Sequence, residues 1–233
     1  MRILSVVEVI LVVVLLLAVE VLAMNWLGLG GSEQIVPLDL LQVKLVQVPL
    51  VLFVIAGLLT RRHQTMATLG WGRPKNGWGK AIGTGVAFTL PLMLVSFAVA
   101  HVGNLLFPRE VPLPFNLDSP WALSSFLLVA IIAGGIAEEI QFRGFIFQRF
   151  EHFFQGFGGP PQRAAIRATL LTSALFAILH IYEGPAAVMA IFVVSLGLQA
   201  LYLRAGRNLV SCMVCHSLFN GVQIGLMFAV ESV

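Results

Sequence analysis

Two adjacent carboxylates, Glu138 and Glu139, stand in the apolar stretch AGGIAEEIQFRGF, with Arg143 four residues beyond the second. Glu139 and Arg143 have the i,i+4 spacing of a helical ion pair. Neighbouring helix positions diverge by about 100°, so Glu138 must point elsewhere, without a local counter-charge. A carboxylate so placed is a candidate general base. Downstream, LTSALFAILHIY sets Phe176 and His180 four apart, and CMVCHSLFNG does the same for His216 and Asn220. Each pair shares one helix face. Inward-facing side chains on facing helices are how bundles build sites.

The elements that must position these groups are set by composition. The chain has 233 residues, 58% hydrophobic and 11% charged, with mean hydropathy +0.94. Soluble domains carry about a quarter charged residues. A soluble globule, a disordered chain and a fibrous repeat are excluded. The apolar runs are continuous, as in Leu11–Leu17, whereas barrel strands alternate. The expected class is therefore an all-α, polytopic transmembrane helix bundle. A span needs about 20 mostly apolar residues. Seven stretches qualify: Ile3–Trp26, Leu40–Leu59, Ala81–Leu106, Trp121–Phe147, Ala168–Tyr182, Ala186–Leu203 and Leu209–Val230. The count becomes eight if Asn220-Gly221 divides the last. The first stretch carries Glu8 and Glu20 and has no clean small-residue cleavage site, so it reads as a membrane helix and not a signal peptide.

Sorting charges by loop gives one side Arg2, Arg61, Arg62, Arg73, Lys75, Lys80, Arg149, Arg163, Arg167, Arg204 and Arg207, with Glu151 as its only acid. The other side receives Glu33, Asp39, Glu110, Asp118, Glu183 and Glu231, with Arg109 as its only base. The positive-inside rule then places the N-terminus in the cytoplasm. Loop 61–80, with Trp71 and Trp78, is expected along the headgroups. Six ionisable residues remain inside spans: Glu8, Glu20, Lys44, Glu138, Glu139 and Arg143. Each costs about 2.5–3.5 kcal/mol in hydrocarbon unless partnered or functional. Lys44 is expected to pair with Glu8 or Glu20. Counting rise from the cytoplasmic ends puts Glu138 about 13 Å deep, His216 about 10 Å and His180 about 18–20 Å. The third agrees only if its helix starts deeper or tilts. Cys212-x-x-Cys215-His216 spells a haem-attachment string. It falls inside an apolar span, where small thiols packing between helices are the simpler reading.

At Glu138-Glu139-x-x-x-Arg143, Phe176-x-x-x-His180 and His216-x-x-x-Asn220 the sequence resembles the CPBP intramembrane proteases, which include the type II CAAX prenyl endopeptidases. The resemblance covers Trp121–Val230. It divides the chain into a three-helix membrane region, 1–120, containing the cytoplasmic loop 61–80, and a core, 121–233, of about four helices. It implies an intramembrane endopeptidase acting on a membrane-associated or lipidated peptide. Glu138 would activate water, His180 would help hold it, and His216 with Asn220 would form the oxyanion site. Glu139, Arg143 and Phe176 would support them. The family has also been described as metal-dependent. Glu138, His180 and His216 would then be a two-histidine, one-carboxylate zinc set, but H-E-x-x-H is absent, and the reading without a cofactor is preferred. A non-catalytic scaffold of the same fold and a proton-coupled transporter are the rivals; the spans show no repeated halves for the latter. The expected partners are the bilayer and a peptide or lipidated substrate, not nucleic acid. A prokaryotic plasma membrane is the expected location, with the site opening to the cytoplasm.

Overall fold

The computed structural model describes residues 2–28, 36–108 and 119–231. Its regular elements are helical: α1 (Arg2–Trp26), α2 (Pro37–Thr60), α3 (Trp78–Leu106), α4 (Pro120–Val129), a π-helical segment (Ala130–Ile146), α5 (Phe147–Gln155), α6 (Pro161–Ile178), α7 (Pro185–Arg204) and α8 (Val210–Glu231). Single 3₁₀ turns lie at Met66–Leu69 and Ile181–Glu183. α4, the π segment and α5 form one continuous rod, Pro120–Gln155. Glu33, Arg109, Glu110 and Asp118, assigned above to the acidic side, lie outside the described residues, as does the side chain of Glu231.

Helix starts follow local chemistry. Proline occupies the first turn of α2, α4, α6 and α7, where its missing N–H is no loss. The Ser119 hydroxyl caps α4 by accepting from the Ala122 N–H at 3.2 Å. The Asn208 side chain does the same for α8, accepting from the Val210 N–H at 3.0 Å. α8 runs unbroken through Asn220-Gly221, so the last span is single.

One end of the bundle gathers the basic residues. There Leu209 N–H donates to the Gly70 carbonyl (3.1 Å), Asn208 to the Gly70 and Gly72 carbonyls, and Arg207 donates twice to Glu151, at 2.6 and 2.7 Å. Those bonds raise the Arg207 pKa above its ordinary value, against the opposing effect of burial. Among the described residues, six helices are long and apolar enough to cross a membrane. α6, 18 residues long with Arg163 and Arg167 in its first half, also runs from end to end. It begins just beyond Gly156, which lies against Arg2, and leads to α7, whose Ala186 packs on Gly103 near the far end of α3. Seven crossings result. The fifth differs in its bounds: Pro160-Pro161 starts the helix earlier than Ala168, and it stops at Ile178, before the 3₁₀ turn.

Lys44 pairs with Glu20 at 3.0 Å, as expected of an isolated base in hydrocarbon. Gln47 completes this cluster, accepting from Lys44 (2.8 Å) and donating to Glu20 (3.1 Å) and the Leu16 carbonyl (2.8 Å). Glu8 turns to the basic end. Arg62 donates to it at 2.8 Å, and Arg149 forms an ion pair with it at 2.7 Å. Arg149 and Glu151, assigned above to a loop, are buried on α5.

Candidate active site

The rod Pro120–Gln155 is the centre of the bundle. From Ala133 to Glu151 nearly every residue is buried, with Phe142, Phe145, Ile146 and Phe147 in the main core. Its middle is wound as a π-helix, a wider turn that recurs at functional sites. Two glycines let α8 approach it. A Cβ on Gly135 would overlap the Ser217 hydroxyl and come within 2.9 Å of Ser217 Cα; one on Gly134 would lie 2.6 Å from Asn220 Nδ2. The close approach is what brings α8's polar face to the adjacent glutamates.

Glu139 is fully buried and pairs with Arg143, also fully buried, at 3.2 Å. This is the predicted i,i+4 pair. On its other side Glu139 Oε1 lies 2.7 Å from His216 Nδ1. A carboxylate only accepts here, so Nδ1 carries the proton and Nε2 points onward. The onward group is Glu138, whose Oε2 lies 4.0 Å from His216 Nε2. The Glu138 side chain is 28% exposed, against 0% for Glu139. Glu138 thus keeps an open approach and no close cation among the described residues.

Arg143 is held by α6 and α7. It donates to Ser195 Oγ at 3.1 Å and stacks over the Phe176 ring at 4.6 Å, a favourable cation–π geometry. Phe142 meets the same ring edge-on at 4.8 Å. Phe176 also touches both histidines, with ring centroids 4.8 Å from His180 and 6.2 Å from His216. His180 Nδ1 donates to the Phe176 carbonyl at 2.8 Å, and Nε2 has no hydrogen bond among the described residues. Its other neighbour is the Tyr182 ring, near-parallel at 6.1 Å. Asn220, one turn beyond His216, donates weakly to the Ala130 carbonyl at 3.4 Å.

Glu138, Glu139, Arg143, Phe176, His216 and Asn220 are therefore assembled on three elements, and His180 joins through Phe176. Among the described residues, no group of three or more His, Cys, Asp or Glu side chains is arranged to hold a metal ion. Cys212 and Cys215 are buried, and the Cys212 thiol lies 3.4 Å from the Leu198 carbonyl. Ser195 was not singled out in the sequence. Its signal was nonetheless present, since Ser195 and Gln199 are rare polar residues in apolar α7.

Fold and site together define a polytopic membrane protein with a buried carboxylate–histidine centre. Residues 120–222 match the family model of the Rce1-like type II CAAX prenyl endopeptidases. The family is one of peptidases. The match spans the rod, α6, α7 and most of α8, and leaves α1 to α3 outside it. No curated protein and no solved structure matches the chain.

Proposed function

We propose that this protein is an intramembrane endopeptidase in which Glu138 activates the hydrolytic water. The carrying observation is the relation of the two glutamates. Glu139 is spent on Arg143 and His216, while Glu138 stays partly open, facing His216 Nε2 across 4.0 Å. That gap is too long for a direct hydrogen bond and suits two groups that share one water. Glu138 takes the water's proton, and the hydroxide adds to the scissile carbonyl carbon. The negative charge on the carbonyl oxygen is met by the Asn220 amide, one turn along α8, and by His216 once the ring carries a second proton, on Nε2, with its Nδ1–H still donated to Glu139. Collapse of the adduct breaks the C–N bond, and the proton held by Glu138 passes to the leaving amine. His180, fixed through Nδ1, offers Nε2 to the same water. The chemistry uses only these side chains and no cofactor. The substrate is a membrane-associated or lipidated peptide, reached from the basic end, which faces the cytoplasm under the positive-inside rule.

The test is cleavage in reconstituted vesicles. Farnesylated and unlipidated peptides are offered to the wild type and to Glu138→Gln, and products are read by mass spectrometry. Cleavage by the wild type alone supports the reading. Equal cleavage by Glu138→Gln overturns the assignment of the base. Quantitative membrane proteomics on cells carrying either form then identifies the physiological substrate.

A further inference from the structure

α7 has three polar side chains before its terminal Arg204: Ser195, Gln199 and Tyr202. Their spacing, i, i+4 and i+7, places them on one helix face. All three are buried. Ser195 accepts from Arg143 at 3.1 Å. At the other end of the row the Tyr202 hydroxyl accepts from Gln148 (3.1 Å) and donates to the Leu69 carbonyl (3.0 Å), at the basic end of the bundle. The row therefore runs from the active-site arginine to the basic surface, rising about 10 Å.

Its middle is unsatisfied. Gln199 is 1% exposed, and neither its Oε1 nor its Nε2 finds a hydrogen-bond partner among the described residues. The same holds for the hydroxyls of Thr172, 1% exposed, and Ser173, 0% exposed. These two stand on α6 about one turn towards the basic end from Phe176, just as Gln199 stands one turn towards it from Ser195. Phe176 and Ser195 both contact Arg143. The orphaned groups of α6 and α7 thus lie at one level, on helices that pack together. Burying an amide and two hydroxyls without partners is costly. Buried water making about three hydrogen bonds is the usual remedy in a polar setting.

We propose that Thr172, Ser173 and Gln199 bind internal water and that this water links the Arg143–Glu139 pair to the basic surface through Tyr202 and Gln148. Each peptide bond hydrolysed consumes one water, and the row is a route of supply from inside the bundle, separate from the open approach to Glu138. That last role rests on the peptidase reading; the water site does not.

Radiolytic hydroxyl labelling of the full-length protein in detergent, read by mass spectrometry, tests it without any substrate. Side chains beside ordered water are labelled even when buried. With each rate divided by that residue's intrinsic reactivity towards hydroxyl radical, wild-type Tyr202 and Phe176 are expected to label at least fivefold faster than Ile55, which is equally buried among apolar side chains. In Gln199→Leu combined with Thr172→Val the two rates should fall to that of Ile55. Labelling in the wild type that the double variant leaves unchanged takes the water away from these side chains. Wild-type labelling no faster than at Ile55, with a rise in Tm on Gln199→Leu, shows a dry orphan and overturns the proposal. If the double variant fails to fold, Ser173→Ala and the wild-type rates still decide. Labelling as expected in a protein that cleaves nothing would leave the water site standing and reject only the peptidase reading.

Discussion

Two buried glutamates in this bundle are each gripped from both sides, and only one of them belongs to the candidate site. Glu8 sits between Arg62 at 2.8 Å and Arg149 at 2.7 Å; Glu139 sits between Arg143 at 3.2 Å and His216 at 2.7 Å. The arginines themselves are braced alike. Arg149 donates to Gln64 and lies over Phe145, and Arg143 donates to Ser195 and lies over Phe176. The difference lies in what stands beside the pair. Around Glu8 one carboxylate faces two guanidiniums, so the acid has cations on both sides, and the cluster ties α1, α5 and the turn after α2 together. Beside Glu139 stands Glu138, a second carboxylate that has no lysine or arginine close to it among the described residues. A buried ion pair is weak evidence of function. An extra acid next to one is stronger, because neutralising it would have been simple.

The largest effect should come from that extra acid. Glu138→Gln keeps size and removes the base. Peptide turnover should fall by about 10²–10⁴-fold, the usual contribution of a general base, with the thermal midpoint unchanged. A matching drop in stability would make Glu138 a brace like Glu8 and erase the contrast between the two regions.

Glu139→Gln and Glu8→Gln test the likeness. Removing one partner of a buried pair costs about 3–5 kcal/mol because the other charge is stranded. Both variants should therefore lose comparable stability in chemical or thermal denaturation. Only Glu139→Gln should also lower the turnover of the folded fraction, since His216 is released with it. Equal loss of turnover in Glu8→Gln would show that the basic end is coupled to the chemistry.

Gly135→Ala probes the contact that joins the rod to α8. The added methyl would overlap Ser217, and overpacking of this kind costs about 1–3 kcal/mol. The strain acts where His216 and Asn220 are set against the glutamates, so kcat should fall with little change in KM. The control is Gly57→Ala, whose Cβ would meet nothing within 4 Å. Its turnover should stay at the wild-type value and its stability should hold or rise slightly, since Ala is the better helix former.

The helical class, the seven crossings and the Glu139–Arg143 pair were legible because continuous hydropathy and i,i+4 spacing are local properties. The Lys44–Glu20 pair was legible as a choice between two acids, because hydrocarbon forces a lone base to find one. Glu8's capture of Arg149 was not, since nothing local says that residues 141 apart in sequence share one end of the bundle. The fifth helix shifted because the Pro160-Pro161 start signal outweighs the hydropathy that begins near Ala168. The π winding, the part played by Gly134 and Gly135, and Ser195's bond to Arg143 all depend on which helix faces which. Periodicity along one segment does not carry that information.

The smallest effect lies at the opposite end from Glu8. Glu183, in the turn before α7, has a carboxyl pKa raised above its ordinary 4.5, chiefly by burial, with the charge of Glu138 adding to the rise and that of His180 opposing it. A carboxyl raised on folding binds its proton more tightly in the native state. Its contribution is fully present below pH 4.5 and is lost as the pH rises through the native value. The thermal midpoint should therefore decline with pH above 4.5, and Glu183→Gln should flatten that decline. Because Glu138 is one cause of the shift, Glu138→Gln should flatten it partly, whereas Glu8→Gln should leave its slope unchanged. A slope altered equally by Glu8→Gln would mean that Glu183 senses the bundle as a whole and not the uncompensated carboxylate beside it.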